Sequence, residues 1–234
     1  MVIDVLRAST TIVYALAAGA AEILPCVEAE AARKLAATLP PGQALLGGER
    51  LGLPIQGFDL GNSPSEYTVA RVRGRSIVFT STNGTRAMER CRRAARVLLG
   101  AFVNLTALVR LARAPGGSGP LHLLCAGTRG QPTEEDLLLA GAIADGLVRR
   151  EPDGWRLGRE GRQVVEDWRA LVLRPRSGEP DPRLLAALRD SLGGRNILAT
   201  GFERDIPDAA RIDRFEVVPE LEVASFRIRP FRHT

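Results

Sequence analysis

Four short segments of the 234-residue chain concentrate the residue types that do chemistry. Asp4 and Arg7 follow a brief apolar run at the start. Glu49 and Asp59 lie within Gly47–Pro64, GGERLGLPIQGFDLGNSP, whose exit carries the polar pair Asn62–Ser63. Thr80–Thr85 reads TSTNGT, and Gly127-Thr128-Arg129 precedes the acids Glu134, Glu135 and Asp136. Carboxylates are hard oxygen ligands for a cation such as magnesium. A turn of small hydroxyl residues and glycine at a helix start lets backbone N–H groups converge on phosphate. Each segment alone also has a plainer reading. Asp4 could cap the helix that follows, Glu134–Asp136 could serve a helix dipole, and TSTNGT could be only a turn. Convergence of the four on one site would decide for magnesium-assisted phosphoryl chemistry.

The elements that must bring them together are legible as an alternation of strand-like and helix-like stretches. Strands are expected near 1–6, 22–27, 44–46, 75–80, 97–99 and 121–126. Helices are expected near 8–20, 28–39, 86–93, 104–112 and 133–149. Another helix is expected to begin at Ser63, with Pro64 at its first position and a capping box from Ser63 to Glu66. This pattern predicts an α/β fold, a three-layer α/β/α arrangement around a mostly parallel sheet with room for a mixed one. Residues 1–234 are read as one domain, its motifs within 1–150 and the less regular 151–234 completing it. A glycine-rich linker is expected over Pro115–Pro120, a helix near Pro182–Leu192, and short apolar runs at Phe215–Val218 and Ala224–Ile228. In an open parallel sheet ligands sit beyond the carboxyl ends of the strands, where all four polar segments fall. The long loop 47–64 has apolar anchors at Leu51, Leu53, Ile55, Phe58 and Leu60, which disorder would lack. Loops of that length are usually functional; the alternative is an Ω-loop covering a sheet edge.

Composition excludes several classes. Net charge is +5 and the pI about 9.8, but the excess is arginine interleaved with acids, and Lys34 is the only lysine. No basic run or aromatic-spaced basic cluster marks a nucleic-acid binder. Cys26, Cys91 and Cys125 are far apart and form no CxxC pair, which suits buried thiols in a reducing, cytoplasmic setting. His122 alternates with leucines and His233 ends the chain, so histidine acid–base chemistry is not expected. No transmembrane span is expected. The first twenty residues imitate a signal peptide, but Asp4 precedes the apolar segment. No GxGxxG follows the first strand, which argues against a Rossmann dehydrogenase.

IDVLRAST (Ile3–Thr10), GERLGLPIQGFDLGNSPSEY (Gly48–Tyr67), TSTNGT with Asn104 downstream, and CAGTRGQPTEED (Cys125–Asp136) together resemble the 2-phosphosulfolactate phosphatase family. The match covers most of 1–145 and resumes at Gly201–Asp205 and Val218-Pro219; Gly154–Pro182 matches no known pattern. The family carries a further strand before its IDVLRA block, so the chain is expected to be shortened at its start. The resemblance implies a magnesium-dependent phosphatase of the coenzyme M pathway, converting 2-phosphosulfolactate to sulfolactate and phosphate. A phosphatase of a different 2-phospho-hydroxy acid, or an anion-binding module without turnover, is the alternative.

Carried over residue by residue, the resemblance makes Asp4, Glu49, Asp59 and Asp136 candidate Mg2+ ligands or acid–base groups, with Asp4, Asp59 and Arg7 catalytic. Ser81, Thr82, Asn83, Gly84 and Thr85 would hold the phosphate, with Asn62 also binding substrate. Arg7 and Arg129 would neutralise phosphate or the substrate's carboxylate and sulfonate. On this allocation Asp59→Asn costs orders of magnitude in activity. Two routes stay open: attack by a metal-bound water, which is favoured, or attack by Asp4 to give an aspartyl-phosphate. Leu6 stands where haloacid-dehalogenase phosphatases place their second aspartate. The expected partner is a small phosphorylated acid, with neither nucleic acid nor membrane; the oligomeric state is open, a homodimer among the options.

Overall fold

A computed structural model describes residues 1–112, 119–171 and 179–231. Most of the expected linker Pro115–Pro120, part of the unmatched stretch Gly154–Pro182, and His233 lie outside the described residues.

The first half alternates as the sequence pattern predicts. β1 (Val2–Ile3) leads to α1 (Ala8–Ala17), β2 (Glu22–Pro25) to α2 (Ala29–Ala37), and β3 (Ala44–Arg50) to the short β4 (Leu53–Pro54) and α3 (Val69–Val72). β5 (Ser76–Thr80) feeds α4 (Gly84–Arg90), β6 (Val97–Gly100) feeds α5 (Leu105–Ala112), and β7 (Leu124–Cys125) feeds α6 (Glu134–Arg150). Helices α7 (Arg159–Ala170), α8 (Pro182–Asp190), α9 (Leu192–Ala199) and α10 (Asp205–Ala209) follow, then the hairpin strands β8 (Pro219–Glu222) and β9 (Arg227–Pro230).

The strand order is β4-β3-β5-β2-β9-β8-β6-β1-β7. Contacts β1–β6, β1–β7, β2–β5 and β3–β5 are parallel. Contacts β2–β9, β3–β4, β6–β8 and β8–β9 are antiparallel, so the sheet is mixed. Every strand followed by a crossover helix pairs in parallel with another such strand. The antiparallel contacts come from two hairpins, one of which, β8–β9, wedges into the middle of the sheet.

Side chains alternate between two faces, as strands require. Ile23, Ile77, Phe79, Val97 and Leu99 face a core shared with Ile12 of α1 and Met88 of α4. Leu24 and Val78 face Ala32 and Leu35 of α2, while Ile3 and Leu98 face α5, α6 and α8. Helices therefore cover both faces, giving three layers. Val2 of β1 shares the first core with Ile77 and Phe79 of β5, although several strands separate them in the sheet order. Helices α1 and α4 on that face bridge β1 and β5, since Ile12 and Met88 belong to the same core.

Local signals explain most boundaries. The acids Glu134, Glu135 and Asp136 begin α6 and Arg149 and Arg150 end it, each sign matching the helix dipole. Asp181 caps α8, accepting N–H bonds from Arg183 and Leu184 at 2.9 and 3.0 Å, with Pro182 at the first helical position. One expected signal is used otherwise. Pro64–Glu66 forms only a 3-10 turn; the Ser63 hydroxyl donates to Asp205, and Glu66 accepts from the Gly61 N–H at 2.9 Å. Tertiary partners outcompeted the capping box. Among the described residues no helix is long and apolar enough to cross a membrane.

Candidate active site

β1 ends in Asp4, whose side chain is almost wholly buried. Its Oδ1 accepts the Ala8 N–H at 3.1 Å, so part of the carboxylate does cap α1. Oδ2 lies against Gly84 at the start of α4, where a Cβ would stand 2.6 Å from it. Only glycine permits that approach, which sets the end of β1 against the start of α4. Behind Asp4, Asp136 accepts the Val5 and Gly127 N–H groups, both at 2.9 Å, and ties the ends of β1 and β7 together.

Glu49, near the end of β3, reaches over the turn after β5. Its Oε1 accepts the Thr82 N–H at 2.6 Å; its Oε2 accepts the Thr82 hydroxyl at 2.9 Å and the Gly52 N–H at 2.7 Å. Part of the expected phosphate cradle is therefore filled by a carboxylate of the protein itself. Ser81 and Thr85 close on each other: the Ser81 Oγ accepts the Thr85 N–H at 3.0 Å and the Thr85 hydroxyl donates to the Ser81 carbonyl at 2.8 Å. Arg50 braces the turn from outside, donating to the Thr80 Oγ1 at 2.8 Å and the Val27 carbonyl at 2.7 Å.

Arg7 is buried and held by three contacts. Nη1 donates to Asp205 at 2.7 Å, Nη2 donates to the Gly52 carbonyl at 2.9 Å, and the guanidinium carbon lies 4.4 Å from the centre of the Phe202 ring. The C-terminal helices complete the site. Glu134 accepts the Leu192 N–H at 2.9 Å and Glu135 accepts the Gly193 N–H at 3.3 Å, which docks α9 on the start of α6. Asn196 and Thr200 then border the opening.

These elements enclose a cavity of about 240 Å³. Of the residues expected at the site, Asp4, Arg7, Glu49, Asn62, Thr82, Asn83 and Arg129 line it. Ser81, Gly84 and Thr85 stand behind its wall, locked in the turn, and Asp136 stands behind Asp4. Asp59 is elsewhere. It is exposed on the loop returning along β3, where its Oδ2 accepts the Leu46 N–H at 2.8 Å and supplements the edge of the sheet. Asp59 does not line the cavity in this structure; its carboxylate is bound to the edge of β3. Asn196 and Thr200 carry no signal in the sequence, Glu135 is read there only as one acid of the Glu134–Asp136 run, and Phe202 and Asp205 only as part of the Gly201–Asp205 block of the resemblance. A groove of about 370 Å³ between α5, α6 and α7 is larger. Its buried carboxylate, Asp145, is neutralised by Arg149 at 2.8 Å and Arg169 at 2.7 Å, so it presents no unmatched buried charge.

The cavity does. Burial raises Asp4 to about 7, with the charges of Glu49 and Glu135 adding to it against the Ala8 N–H and Arg7. Burial also holds Asp136 well above the ordinary range, and the Asp4 charge pushes it further. Among the described residues Asn62 Oδ1 is buried without a hydrogen-bond partner. Among the described residues no three Asp, Glu, His or Cys side chains form a ready metal cage. Magnesium seldom uses one; it takes one or two carboxylates and fills its shell with water and substrate oxygens. Two buried carboxylates short of positive charge beside an anion-accepting arginine fit that mode.

An α/β fold with a polar cavity beyond the carboxyl ends of its parallel strands defines a binder of small ligands. The family described as 2-phosphosulpholactate phosphatase matches residues 1–223, and the chain belongs to that family. A protein of Symbiobacterium thermophilum is 40% identical over 220 residues, covering 94% of this chain and 89% of that protein. One of Deinococcus radiodurans is 41% identical over 222 residues, covering 94% and 86%. One of Thermotoga maritima is 34% identical over 232 residues, covering 99% and 92%. Each bears the name "Probable 2-phosphosulfolactate phosphatase".

Proposed function

We propose that the chain is a magnesium-dependent phosphoric monoester hydrolase of the cytoplasm, releasing sulfolactate and phosphate from 2-phosphosulfolactate, with residues 1–234 acting as one α/β domain. The observation that carries this reading is the pairing, in one cavity, of under-neutralised buried carboxylates with arginines suited to an acid substrate. Family membership and the names of the relatives support the substrate.

Asp4 would hold the cation, with Glu49 across the cavity and Asp136 behind it contributing their remaining lone pairs. Magnesium, when bound, supplies a water of lowered pKa and neutralises the phosphoryl oxygens. The rest is work for the chain's own residues. Arg7 offers its uncommitted N–H donors to the substrate's carboxylate or sulfonate, a planar fork that suits either. Arg129, exposed at the rim and without an ion pair among the described residues, supplies a second positive charge. The Asn62 side-chain oxygen accepts from a bound water or from the hydroxyl of the sulfolactate product. Thr82 and Asn83 border the phosphoryl group, and α9 shields the opening from bulk water.

A substrate made chiral at phosphorus tests the chemistry. Inversion at phosphorus, with no acyl phosphate trapped by borohydride, is expected from direct attack by water. Retention, or Asp4 reduced by borohydride during turnover, would instead assign it as the nucleophile, and no release of phosphate would remove the hydrolase reading.

A further inference from the structure

Asp4, Glu49 and Arg7 line one cavity, yet no ion pair joins Arg7 to either acid among the described residues. In a buried pocket an arginine and a neighbouring carboxylate attract strongly, and their mutual pairing would consume both the cation and the metal ligands. What prevents it comes from far along the chain. Asp205, at the start of α10, lies 198 residues from Arg7 and takes its Nη1 at 2.7 Å with both side chains almost fully buried. The other oxygen of Asp205 is fixed by the Ser63 hydroxyl. Phe202 covers one face of the guanidinium and the Gly52 carbonyl takes Nη2, which leaves the remaining N–H donors for the cavity.

We propose that Asp205 is a positioning residue for substrate binding: it withholds Arg7 from Asp4 and Glu49 and aims its free N–H donors at the anionic group of the substrate remote from phosphorus. Ser63 fixes Asp205 in turn. The proposal rests on the phosphatase reading for the identity of the ligand but not for its geometry. Removing the Asp205 charge would let Arg7 swing onto the acids, so the acid part of the substrate would lose its receptor.

Asp205→Asn is expected to raise both KM for 2-phosphosulfolactate and the magnesium concentration for half-maximal rate at least tenfold, with kcat at saturating substrate and magnesium within about threefold of the parent. The Kd for sulfolactate, measured by calorimetry in EDTA, should rise in parallel. In an Arg7→Met background Asp205→Asn should add less than a factor of two, because it acts through Arg7. Ser63→Ala, which leaves no buried charge unpaired, should raise the same Kd several-fold and serves if Asp205→Asn does not fold. An unchanged KM and Kd in Asp205→Asn, an unchanged Kd in Ser63→Ala, or an equal loss in the Arg7→Met background would overturn the proposal. Absence of turnover by the parent enzyme would sink the phosphatase reading alone, since the sulfolactate titrations still report on Arg7.

Discussion

Asp4 concentrates the tension between stability and function at the level of single residues. Its carboxyl is raised to about 7 from an ordinary 3.8, chiefly by burial. A raised acid binds its proton more tightly in the native than in the unfolded state. Its ionisation therefore costs stability progressively as pH rises from about 4 to 7, and the full cost stands above that. Asp4→Asn should consequently unfold at a higher temperature than the parent at pH 8 in EDTA, by roughly 1–3 kcal/mol, with no gain at pH 4. The same variant should lose activity by about a thousandfold or more. A variant less stable at pH 8 would show that the Asp4 charge is compensated in the fold. Gly84 is the companion test. Its Cβ would meet Asp4 Oδ2 at 2.6 Å and Ala8 Cβ at 2.7 Å, so Gly84→Ala should cost about 1–3 kcal/mol and lower kcat at least tenfold, read by thermal melts and steady-state rates. The carboxylates and arginines were visible in the sequence by type. Their uses were not: Asp59 and Glu49 share one loop, yet one serves the edge of β3 and the other the cavity.

Helices and strands obeyed local rules wherever those rules lacked competitors. Crossover helices after strands buried on both faces gave parallel pairs, as apolar runs such as Ile77-Val78-Phe79 predict. The loop 47–64 divides its work. Leu60 and Asp59 extend β3 with hydrogen bonds, while Glu49, Asn62 and Ser63 face the site or its support. Asp59→Asn should therefore keep activity within about threefold and lose under about 1 kcal/mol in a melt, since the amide oxygen can still accept the Leu46 N–H. A loss of orders of magnitude would return Asp59 to the catalytic set. The hairpin β8–β9 could not be placed from sequence, because its neighbours β2 and β6 are distant and nothing local specifies that pairing. Glu22 pins it, accepting from Arg227 at 2.8 Å and Arg229 at 2.7 Å. Burial opposes the Glu22 charge, but the two arginine hydrogen bonds outweigh it and hold the carboxyl below its usual range. That stabilisation is present above the unfolded value of 4.5 and fades as pH falls through the lower native value. Glu22→Gln should then lower stability by about 1 kcal/mol at pH 7, with the difference closing below pH 4.

At the scale of the whole chain, function depends on packing that sets the end of β1 against the start of α4, and on C-terminal helices that finish the cavity. Periodicity reveals elements but not how they pack, so the meeting of Asp4 with Gly84 is not legible in the sequence. The contribution of Asn196 and Thr200 is hidden for a related reason: they stand in and just after an ordinary helix, and only their tertiary position brings them to the cavity, while Gly201–Asp205 is visible only through the resemblance. Some of the arginines behind the basic pI are spent on internal pairs, among them Arg7 with Asp205 and both Arg149 and Arg169 with Asp145. The central claim is that this cavity hydrolyses a phosphorylated sulfonate with a divalent cation. Phosphate release from 2-phosphosulfolactate and from a panel of phosphorylated hydroxy acids, with magnesium and then with EDTA, tests it most directly. Magnesium-dependent release that strongly favours the sulfonate is the predicted result; release unaffected by EDTA, or none from any ester, would contradict it.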